Sequence, residues 1–356
     1  MPSRRDFALT DALTMVAPGQ PLREGLDRIL QANMGGLIVV GDGPDVLAIC
    51  SGGFLLDAEF SPQRLSELAK MDGAIILAPD ASRIARANVH LVPNPNVPTS
   101  ETGTRHRTAE RVARSIDVPV ISVSEDLSII AVYVGSIKHP LELTARLLNR
   151  ANQALQTLER YKNRLDAVAG TLTALEVENL VTVRDVVTVL QRTEMVRRIA
   201  EEIRGYIIEA GTDGRLIRLQ LEELMGGVDE DRRLVIQDYS HTSDKWNLAE
   251  AMDALAQLTT EEIVDLRAVT AVLHLPHGGG ELDFPLQPKG YRLLHRIPRM
   301  PEPVIDAIVA RFGTLDKILD AEVKELDAVE GVGTSRARAI KENLSRVAEG
   351  TGFDRF

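Results

Sequence analysis

Two stretches decide the fold of the N-terminal part of this chain: M-D-G-A-I-I-L-A-P-D at residues 71–80 and S-E-T-G-T-R-H-R-T-A-E-R at residues 100–111. In the first, Asp72 and Gly73 precede an apolar run that is typical of a buried strand. The second gathers a glycine, two threonines, two arginines and a histidine at residues 103–108, ahead of a helical pattern. Backbone N–H groups, hydroxyls and guanidinium groups together suit a polyphosphate, so the pattern predicts an anion site beside a buried strand.

Each half of this pattern has a simpler interpretation when it is taken alone. An Asp-Gly pair is more often a turn than a metal site, and Arg-His-Arg is more often a solvated basic surface. Taken together, D-G-A at residues 72–74 and G-T-R-H-R at residues 103–107 resemble the signatures of the diadenylate cyclase family. With a helical middle and a hairpin tail, the whole chain resembles the DNA-scanning members of that family.

Composition sets the broad class of the protein. A chain of 356 residues with 44% hydrophobic content predicts two or three globular domains. A net charge of −11 excludes indiscriminate coating of nucleic acid, and 4% aromatic residues argue against a stacking platform for single strands. Residues 1–22 contain no signal peptide or membrane span. We therefore expect a cytoplasmic protein with no membrane partner, associated with the nucleoid through any DNA-binding tail.

The N-terminal residues 1–140 mix helical and strand patterns. A helix is predicted at residues 21–32, and a tight turn at residues 41–44 separates two apolar runs that are typical of strands, 35–41 and 46–50. Further strands are predicted at residues 74–78, 118–123 and 129–134, with a helix continuing from the basic turn at residues 109–115. These elements predict an α/β domain with a central mixed sheet of about five or six strands.

After Pro140 the pattern becomes all-helical. Apolar residues at a spacing of three or four from Leu141 predict one long helix or two nearly collinear ones. Further helices are predicted at residues 183–191, 195–210, 215–225, 248–258 and 261–273. We interpret residues 141–285 as an all-α linker bundle whose carboxylates lie on solvated surfaces, with a flexible joint at residues 277–280.

The C-terminal residues 286–356 carry a second motif, G-V-G at residues 331–333 between two helical patterns. This arrangement is typical of a helix-hairpin-helix domain, in which glycines allow a phosphate to approach the N–H groups of the second helix. Such a motif binds the backbone of duplex or branched DNA without sequence specificity. A protein-protein hairpin is the alternative. The candidate DNA contacts are Gly331, Gly333, Thr334, Arg336, Arg338 and Lys341.

The resemblance implies an enzyme that joins two ATP molecules into cyclic di-AMP and releases two pyrophosphates. It further implies that two cyclase domains face each other with one ATP in each, and that the chain forms a homo-oligomer, an octamer. It also implies that branched DNA lowers the activity. One hairpin copy is expected to bind DNA weakly, and several copies in an oligomer to bind it more tightly.

The resemblance and the residue types assign roles in catalysis. Asp72 is the candidate ligand of Mg²⁺ or Mn²⁺ and orients the attacking 3′-hydroxyl. Glu125 is the candidate second metal ligand, although the family often has two glutamates where this chain has Glu125 and Asp126. A turn between strands is the alternative for that pair. Gly73 lets the nucleotide approach the backbone.

The remaining candidates hold the nucleotide. Arg105 and Arg107, with His106 between them, are expected to bind the triphosphate and stabilise the departing pyrophosphate. The hydroxyls of Thr104 and Thr108 are expected to bind the same group. The resemblance alone suggests an adenine contact at Leu91. The predicted catalytic residues are Asp72, Arg105, His106 and Arg107.

Other functional classes fit the sequence less well than a cyclase does. A DNA-binding scaffold that only senses ATP is the alternative, and it would have no need of a metal carboxylate with two arginines. A DNA repair nuclease would follow from the tail alone, but the sequence has no carboxylate cluster typical of one. A P-loop ATPase is excluded because G-x-x-x-x-G-K-[ST] does not occur.

Overall fold

The computed structural model describes residues 4–125, 128–240, 247–273 and 282–353. The chain packs as two compact units: unit 1 is Met1–Gln153 with Glu202–Gln220, and unit 2 is Ala154–Glu201 with Leu221–Phe356. Three domains bounded at residues 140 and 285 stay a prediction. The predicted joint at residues 277–280 lies outside the described residues. Of the helices described, none is long and apolar enough to cross a membrane.

Unit 1 is built on a mixed sheet of eight strands among the described residues. The strands are β1 (Gly36–Val40), β2 (Cys50–Ser51), β3 (Phe54–Glu59), β4 (Ala74–Leu77), β5 (Arg83–Leu91), β6 (Val120–Ser124), β7 (Ile129–Val134) and β8 (Ile137–Pro140). Their order is β2-β5-β4-β1-β6-β7-β8, with β3 paired to β5. The pair β1–β4 is parallel, and the other pairs are antiparallel. The mixed sheet is confirmed, with more strands than the sequence suggested.

Helices cover both faces of this sheet. On one face, Leu26 and Ile29 of the second helix pack in one core with Ile38 and Ile75 of the central strands. On the other face, Val112 packs in a second core with the strands. Burial on both faces explains why the central strands read as continuous apolar runs. The helices are α1 (Arg4–Met15), α2 (Pro21–Gln31), α3 (Pro44–Ala48), α4 (Pro62–Leu68) and α5 (Thr104–Ser115).

The predicted strand at residues 46–50 is wrong, because Val46 lies in helix α3 and only Cys50 enters a strand. Gly43 is extended (φ −66°, ψ 167°) and Pro44 occupies the first turn of the helix. Proline is favoured there because its fixed φ suits a helix and its missing N–H would have no helical partner. Gly43-Pro44 is therefore a helix start and not the turn of a hairpin.

The all-helical middle is confirmed in the described residues. The long helix predicted from Leu141 is a single helix that continues through Gly170, and the patterns at residues 183–191 and 195–210 form one helix. The pattern at residues 261–273 is divided into a 3₁₀ turn and a short helix. These helices are α6 (Thr144–Glu178), α7 (Val183–Ala210), α8 (Arg215–Met225), α9 (Val228–Tyr239), α10 (Leu248–Gln257) and α11 (Leu266–Val272).

The sequence suggested that the carboxylates of this middle region lie on solvated surfaces. This prediction is wrong for several of them. Glu176, Glu194 and Asp238 are 2%, 2% and 1% exposed. Arg292 lies 2.6 Å from Glu176 through Nη1 and Oε2, and Tyr239 donates a hydrogen bond of 2.7 Å to the same carboxylate. The sequence does not show that Glu176 and Asp238 are buried, because their partners at residues 290–292 lie far away along the chain.

The C-terminal helices of unit 2 enclose a core of their own, to which Leu294, Ile308 and Ile340 contribute. Asp238 holds the first of these helices by accepting hydrogen bonds from three backbone N–H groups at its start. A buried carboxylate at a helix N-terminus is stabilised by those donors. The helices are α12 (Tyr291–His295), α13 (Glu302–Phe312), α14 (Leu315–Asp320), α15 (Val323–Asp327) and α16 (Gly333–Phe353).

The pair Arg292–Glu176 predicts how unit 2 responds to substitution. We expect Arg292→Met to lower the free energy of unfolding of unit 2 by about 3 kcal/mol or more, because it leaves the Glu176 carboxylate buried and unpaired. Adding Glu176→Leu should restore part of that loss. The control Arg184→Met breaks an exposed pair with Asp283 (49% and 82% exposed) and should cost less than about 1 kcal/mol. Urea unfolding followed by circular dichroism measures these values, and equal losses in the two single variants would contradict the prediction.

Candidate functional site

A cavity of about 580 Å³ opens in unit 1 where β1 and β4 begin and β5 and β6 end. Arg107 is exposed and does not line this cavity. Leu37 and Val89 form an apolar wall of the cavity and His90 also lines it, although no sequence motif pointed to these three residues. Most of the predicted residues do line the cavity: Asp72, Gly73, Leu91, Thr104, Arg105, His106, Thr108 and Glu125.

Helix α5 begins at Thr104, so the basic residues occupy its first turn and not a loop ahead of it. Gly103, with a φ of 82°, reverses the chain at the position before the helix, and this backbone conformation favours glycine. The first helical N–H groups have no partner within a helix and carry the positive end of its dipole. The cavity wall formed by Thr104 and Arg105 is therefore suited to an anion.

Glu110 fixes the loop that leads into α5. Its carboxylate is 7% exposed and accepts hydrogen bonds from the Thr99 hydroxyl at 2.5 Å and the Ser100 N–H at 3.1 Å. Burial alone would raise the pKa of Glu110, but these donors and Arg114 outweigh burial and leave that pKa below its ordinary value. Arg111 adds a bond to the Val97 carbonyl at 3.1 Å. The loop at residues 92–103, which contains Pro93, Pro95 and Pro98 and is called the proline loop below, is thus joined to α5 as one piece.

Asp72 and Arg105 form an ion pair at the mouth of the cavity, with 2.9 Å between Oδ1 and Nη2. The Asp72 side chain is 91% exposed and the Arg105 side chain 41%. A pair this open contributes little to stability, about 0–1 kcal/mol. A ligand can therefore replace either side chain as the partner of the other at little cost in free energy.

Gly73 has a structural role besides any role in nucleotide approach. A Cβ built on Gly73 would lie 2.6 Å from the backbone Cα of Asn88 on β5. Asn88 itself has a positive φ of 54°, at an irregularity in the pairing of β4 with β5. Close strand packing therefore demands glycine directly after Asp72.

His106 is the predicted residue whose surroundings the sequence least suggested. Its Nδ1 lies 3.0 Å from the hydroxyl of Tyr133 and 3.0 Å from that of Ser122, both of which are buried. Burial is the main cause that lowers the pKa of His106. A serine within the apolar run of β6 was a signal that sequence reasoning missed, because a polar side chain buried in a strand needs a partner.

Among the described residues, the cavity has two carboxylates that could bind a divalent cation, which is fewer ligands than a complete metal site needs. Asp72 and Glu125 both line it, while Asp126 lies outside the described residues. No group of three or more metal-ligating His, Cys, Asp or Glu side chains occurs in the described part of the chain. Mg²⁺ is commonly held by one or two carboxylates together with substrate phosphates, so this donor set fits a cation that arrives with a nucleotide.

The tail residues lie at the junction of α15 and α16. Gly331 and Gly333 have positive φ values of 81° and 63°, which L side chains rarely adopt. Arg336 and Arg338 are exposed on the first turns of α16. These two glycines and two arginines therefore lie together on the short segment where α16 begins.

Three of the tail candidates are engaged within unit 2, and the first is Arg336, which donates a hydrogen bond of 2.6 Å to the Gly331 carbonyl. Thr334 donates hydrogen bonds to the Asp327 carboxylate at 3.2 and 3.3 Å, which places a negative charge near the turn. The Lys341 ammonium donates to the carbonyl of Leu319 and is partly buried. Lys341 therefore contributes to the packing of α16 against the end of α14.

Comparisons with known proteins cover nearly the whole chain. Residues 23–137 match a family model described as DisA bacterial checkpoint controller nucleotide-binding, and residues 141–281 match one described as the DisA linker region. The chain is 54% identical to a DNA integrity scanning protein DisA of Kineococcus radiotolerans over 100% of both chains. It is 54% identical to that of Frankia alni over 97% of this chain and 96% of the relative.

Among solved structures, DacA from Staphylococcus aureus shares 22% identity with a TM-score of 0.28, over 39% of this chain and 89% of that one. The relatives over the full length are far more similar, and both family models fall in the parts of the fold described above, the sheet with its cavity and the helical middle. The chain belongs to the family of DisA, the DNA integrity scanning proteins.

Proposed function

We propose that this protein is a diadenylate cyclase that condenses two ATP molecules into cyclic di-AMP and releases two pyrophosphates. One observation carries the proposal: a carboxylate, an arginine and the N-terminus of a helix converge on a single cavity of about 580 Å³. That volume is in the range of about 300–1,000 Å³ that is usual for ligand pockets. The cavity combines an apolar wall at Leu37, Val89 and Leu91 for the base with polar groups for the phosphates.

In this proposal Arg105 leaves Asp72 and binds the triphosphate when ATP enters. The hydroxyls of Thr104 and Thr108 and the first N–H groups of α5 bind the same phosphates. Arg105 then stabilises the negative charge that develops on the leaving pyrophosphate. Asp72, released from the ion pair, orients the ribose 3′-hydroxyl.

Asp72 and Glu125 would hold Mg²⁺ or Mn²⁺ together with the phosphates. Such a cation would neutralise phosphate charge and polarise the reacting oxygens. Because each cavity would hold one nucleotide, the 3′-hydroxyl of one ATP has to meet the α-phosphate of another bound by a second cyclase domain. We therefore propose a homo-oligomer with facing cyclase domains, an octamer, in which the exposed Arg107 contacts the nucleotide bound opposite.

We further propose that the α15–α16 segment binds branched DNA without sequence specificity and that this binding lowers cyclase activity. Gly331, Gly333, Arg336 and Arg338 would contact the phosphate backbone. The relatives' name, DNA integrity scanning protein, supports a DNA-binding role. Several copies in an oligomer would raise the affinity through effective concentration.

Asp72→Asn tests the cyclase directly. We expect purified protein with ATP and Mg²⁺ or Mn²⁺ to form cyclic di-AMP, and the variant to lose at least about 100-fold in rate, because an amide cannot replace the carboxylate charge. Asp80→Asn is the matched control, since Asp80 accepts hydrogen bonds from Ser82 outside the cavity and should leave the rate unchanged. Chromatography of the products measures both. Tight ATP binding without any cyclic dinucleotide from the wild type would favour the ATP-sensing scaffold.

Gly35→Ala tests the position of Arg105 without altering Arg105. A Cβ on Gly35 would lie 2.1 Å from Nη1 of Arg105, so the flexible guanidinium has to move while the backbone stays. We expect ATP to bind about tenfold more weakly and the melting temperature to stay nearly constant. Gly43→Ala is the control because its Cβ would meet open space. Unchanged ATP affinity by calorimetry would show that Arg105 does not contact the nucleotide from this position.

Arg338→Ala tests the tail. Binding to a four-way junction should weaken by a similar factor for junctions of different sequence, and the slope of log K against log salt should fall by about 1 for each contacting copy. Lys341→Ala should instead lower stability, since its ammonium is bound to Leu319. A sequence-dependent loss, or no change in the salt slope, would contradict backbone recognition by Arg338.

A further inference from the structure

A run of buried polar side chains lies beneath the cavity and has no part in the function proposed above. His106 lines the cavity, and its Nδ1 is 3.0 Å from both the Ser122 and the Tyr133 hydroxyl oxygens. Ser122 and Tyr133 are 0% and 1% exposed. Tyr133 is also hydrogen-bonded to Glu101, whose carboxylate lies 2.6 Å from Lys138 Nζ. The run therefore leads from the cavity to an ion pair at the surface.

The hydrogen bonds decide where the protons lie. Tyr133 has one proton and three neighbours that can accept it, His106, Ser122 and Glu101, and the charged carboxylate of Glu101 is the strongest acceptor. When Tyr133 donates its proton to Glu101, its oxygen presents a lone pair to Nδ1 of His106. If Nδ1 were unprotonated, the lone pairs of the two atoms would repel each other. A proton on Nδ1 removes this repulsion and lets both hydroxyl oxygens accept from His106. His106 is then the Nδ1–H tautomer, and the ring nitrogen left for the cavity is an unprotonated Nε2.

We propose that Tyr133, with Ser122 and Glu101, is a positioning residue that holds His106 in this tautomer, so that Nε2 accepts the proton of the attacking 3′-hydroxyl. This inference rests on the cyclase function proposed above. It changes the role of His106 from binding phosphate to accepting a proton, because an unprotonated nitrogen repels phosphate oxygens. The arrangement follows the logic of serine hydrolases, in which a carboxylate fixes the tautomer of a histidine base.

The step balances without an added reagent. The 3′-hydroxyl proton moves to Nε2, and the electron pair of that O–H bond forms the new bond from oxygen to the α-phosphorus. The bond between the α-phosphorus and the β-phosphate oxygen breaks, and its electron pair leaves with pyrophosphate. The resulting imidazolium donates to the hydroxyl oxygens through Nδ1–H, and the Glu101 carboxylate at the end of the run stabilises its charge.

The charged groups that face His106 set when it can accept a proton. Burial lowers its pKa most, Glu101 raises it, and Lys138 and Arg105 lower it. The Tyr133 hydroxyl stays protonated, since burial followed by the Glu101 charge raises its pKa far above the ordinary value. The imidazole is therefore neutral near pH 7, as an acceptor has to be.

The tautomer can be measured without any assay of activity. Nitrogen-15 NMR of histidine-labelled full-length protein, with the His106 signals assigned by His106→Gln, distinguishes protonated from unprotonated ring nitrogens. We expect a protonated Nδ1 and a bare Nε2 in the wild type, and a mixture of tautomers in Tyr133→Phe. A wild-type Nε2–H tautomer would overturn the proposal whether or not the protein is a cyclase.

Kinetics test the consequence for the reaction. Tyr133→Phe should lower kcat for cyclic di-AMP formation about 100-fold, the lower end of what a general base contributes, while KM for ATP changes less than about twofold. Tyr206→Phe is the matched control, because the Tyr206 hydroxyl bonds Arg150 and Glu202 away from the cavity, and it should retain wild-type kcat. A higher KM with unchanged kcat would assign Tyr133 to nucleotide binding instead.

Opposite pH shifts separate this role from a structural one. Activity should rise with pH through the pKa of His106. Glu101→Gln removes a charge that raises this pKa, so the rise should move to lower pH, and Lys138→Met should move it to higher pH. Shifts in the same direction, or none, in an active wild-type enzyme would refute the positioning role alone, whereas an inactive wild type would refute the cyclase.

Discussion

The buried carboxylate of Glu110 is the constraint on which the nucleotide-binding unit depends. It lies on α5 and accepts hydrogen bonds from the proline loop at Thr99 and Ser100, so loop and helix cannot move separately. Removing a carboxylate from water is costly unless several donors replace the water, and the loop supplies them. The first turn of α5 is thereby fixed at the end of the sheet where Asp72 precedes β4.

The side chains around the first turn of α5 differ in how firmly they are held. Asp72 and Arg105 form an exposed ion pair that a ligand can open at little cost. His106, one residue further along the helix, is held by two buried hydroxyls that bind its inner nitrogen. The loosely held groups are those expected to rearrange around phosphates, and the firmly held group is the one whose protonation state matters for chemistry.

Unit 2 uses buried charge for a different purpose. The carboxylate of Glu176 on α6 meets Arg292 on α12, and Asp238 on α9 binds the backbone at the start of α12. Hydrophobic packing alone would allow these helices to slide, whereas an ion pair away from water tolerates only one register. We propose that this geometry serves to fix where the helices of the tail begin, consistent with the use of buried polar groups for specificity in other proteins.

The sequence by itself determined the fold class and most of the cavity. Periodicity separates the sheet unit from the helices, and the two motifs, through their resemblance to a known family, identified most of the residues between Asp72 and Glu125 that line the cavity. These features are local, because a glycine, a proline or an apolar repeat acts on its own backbone. A local signal can also be ambiguous: Gly43-Pro44 was predicted to be a turn between strands, but it begins helix α3. Only the tertiary structure decided that Tyr133 and Ser122 lie beneath His106, that Arg107 is not among the residues lining the cavity, and that Glu176 is buried against Arg292. Each of these depends on groups that are far apart in sequence and meet only when strands and helices pack, and no local pattern specifies such a meeting.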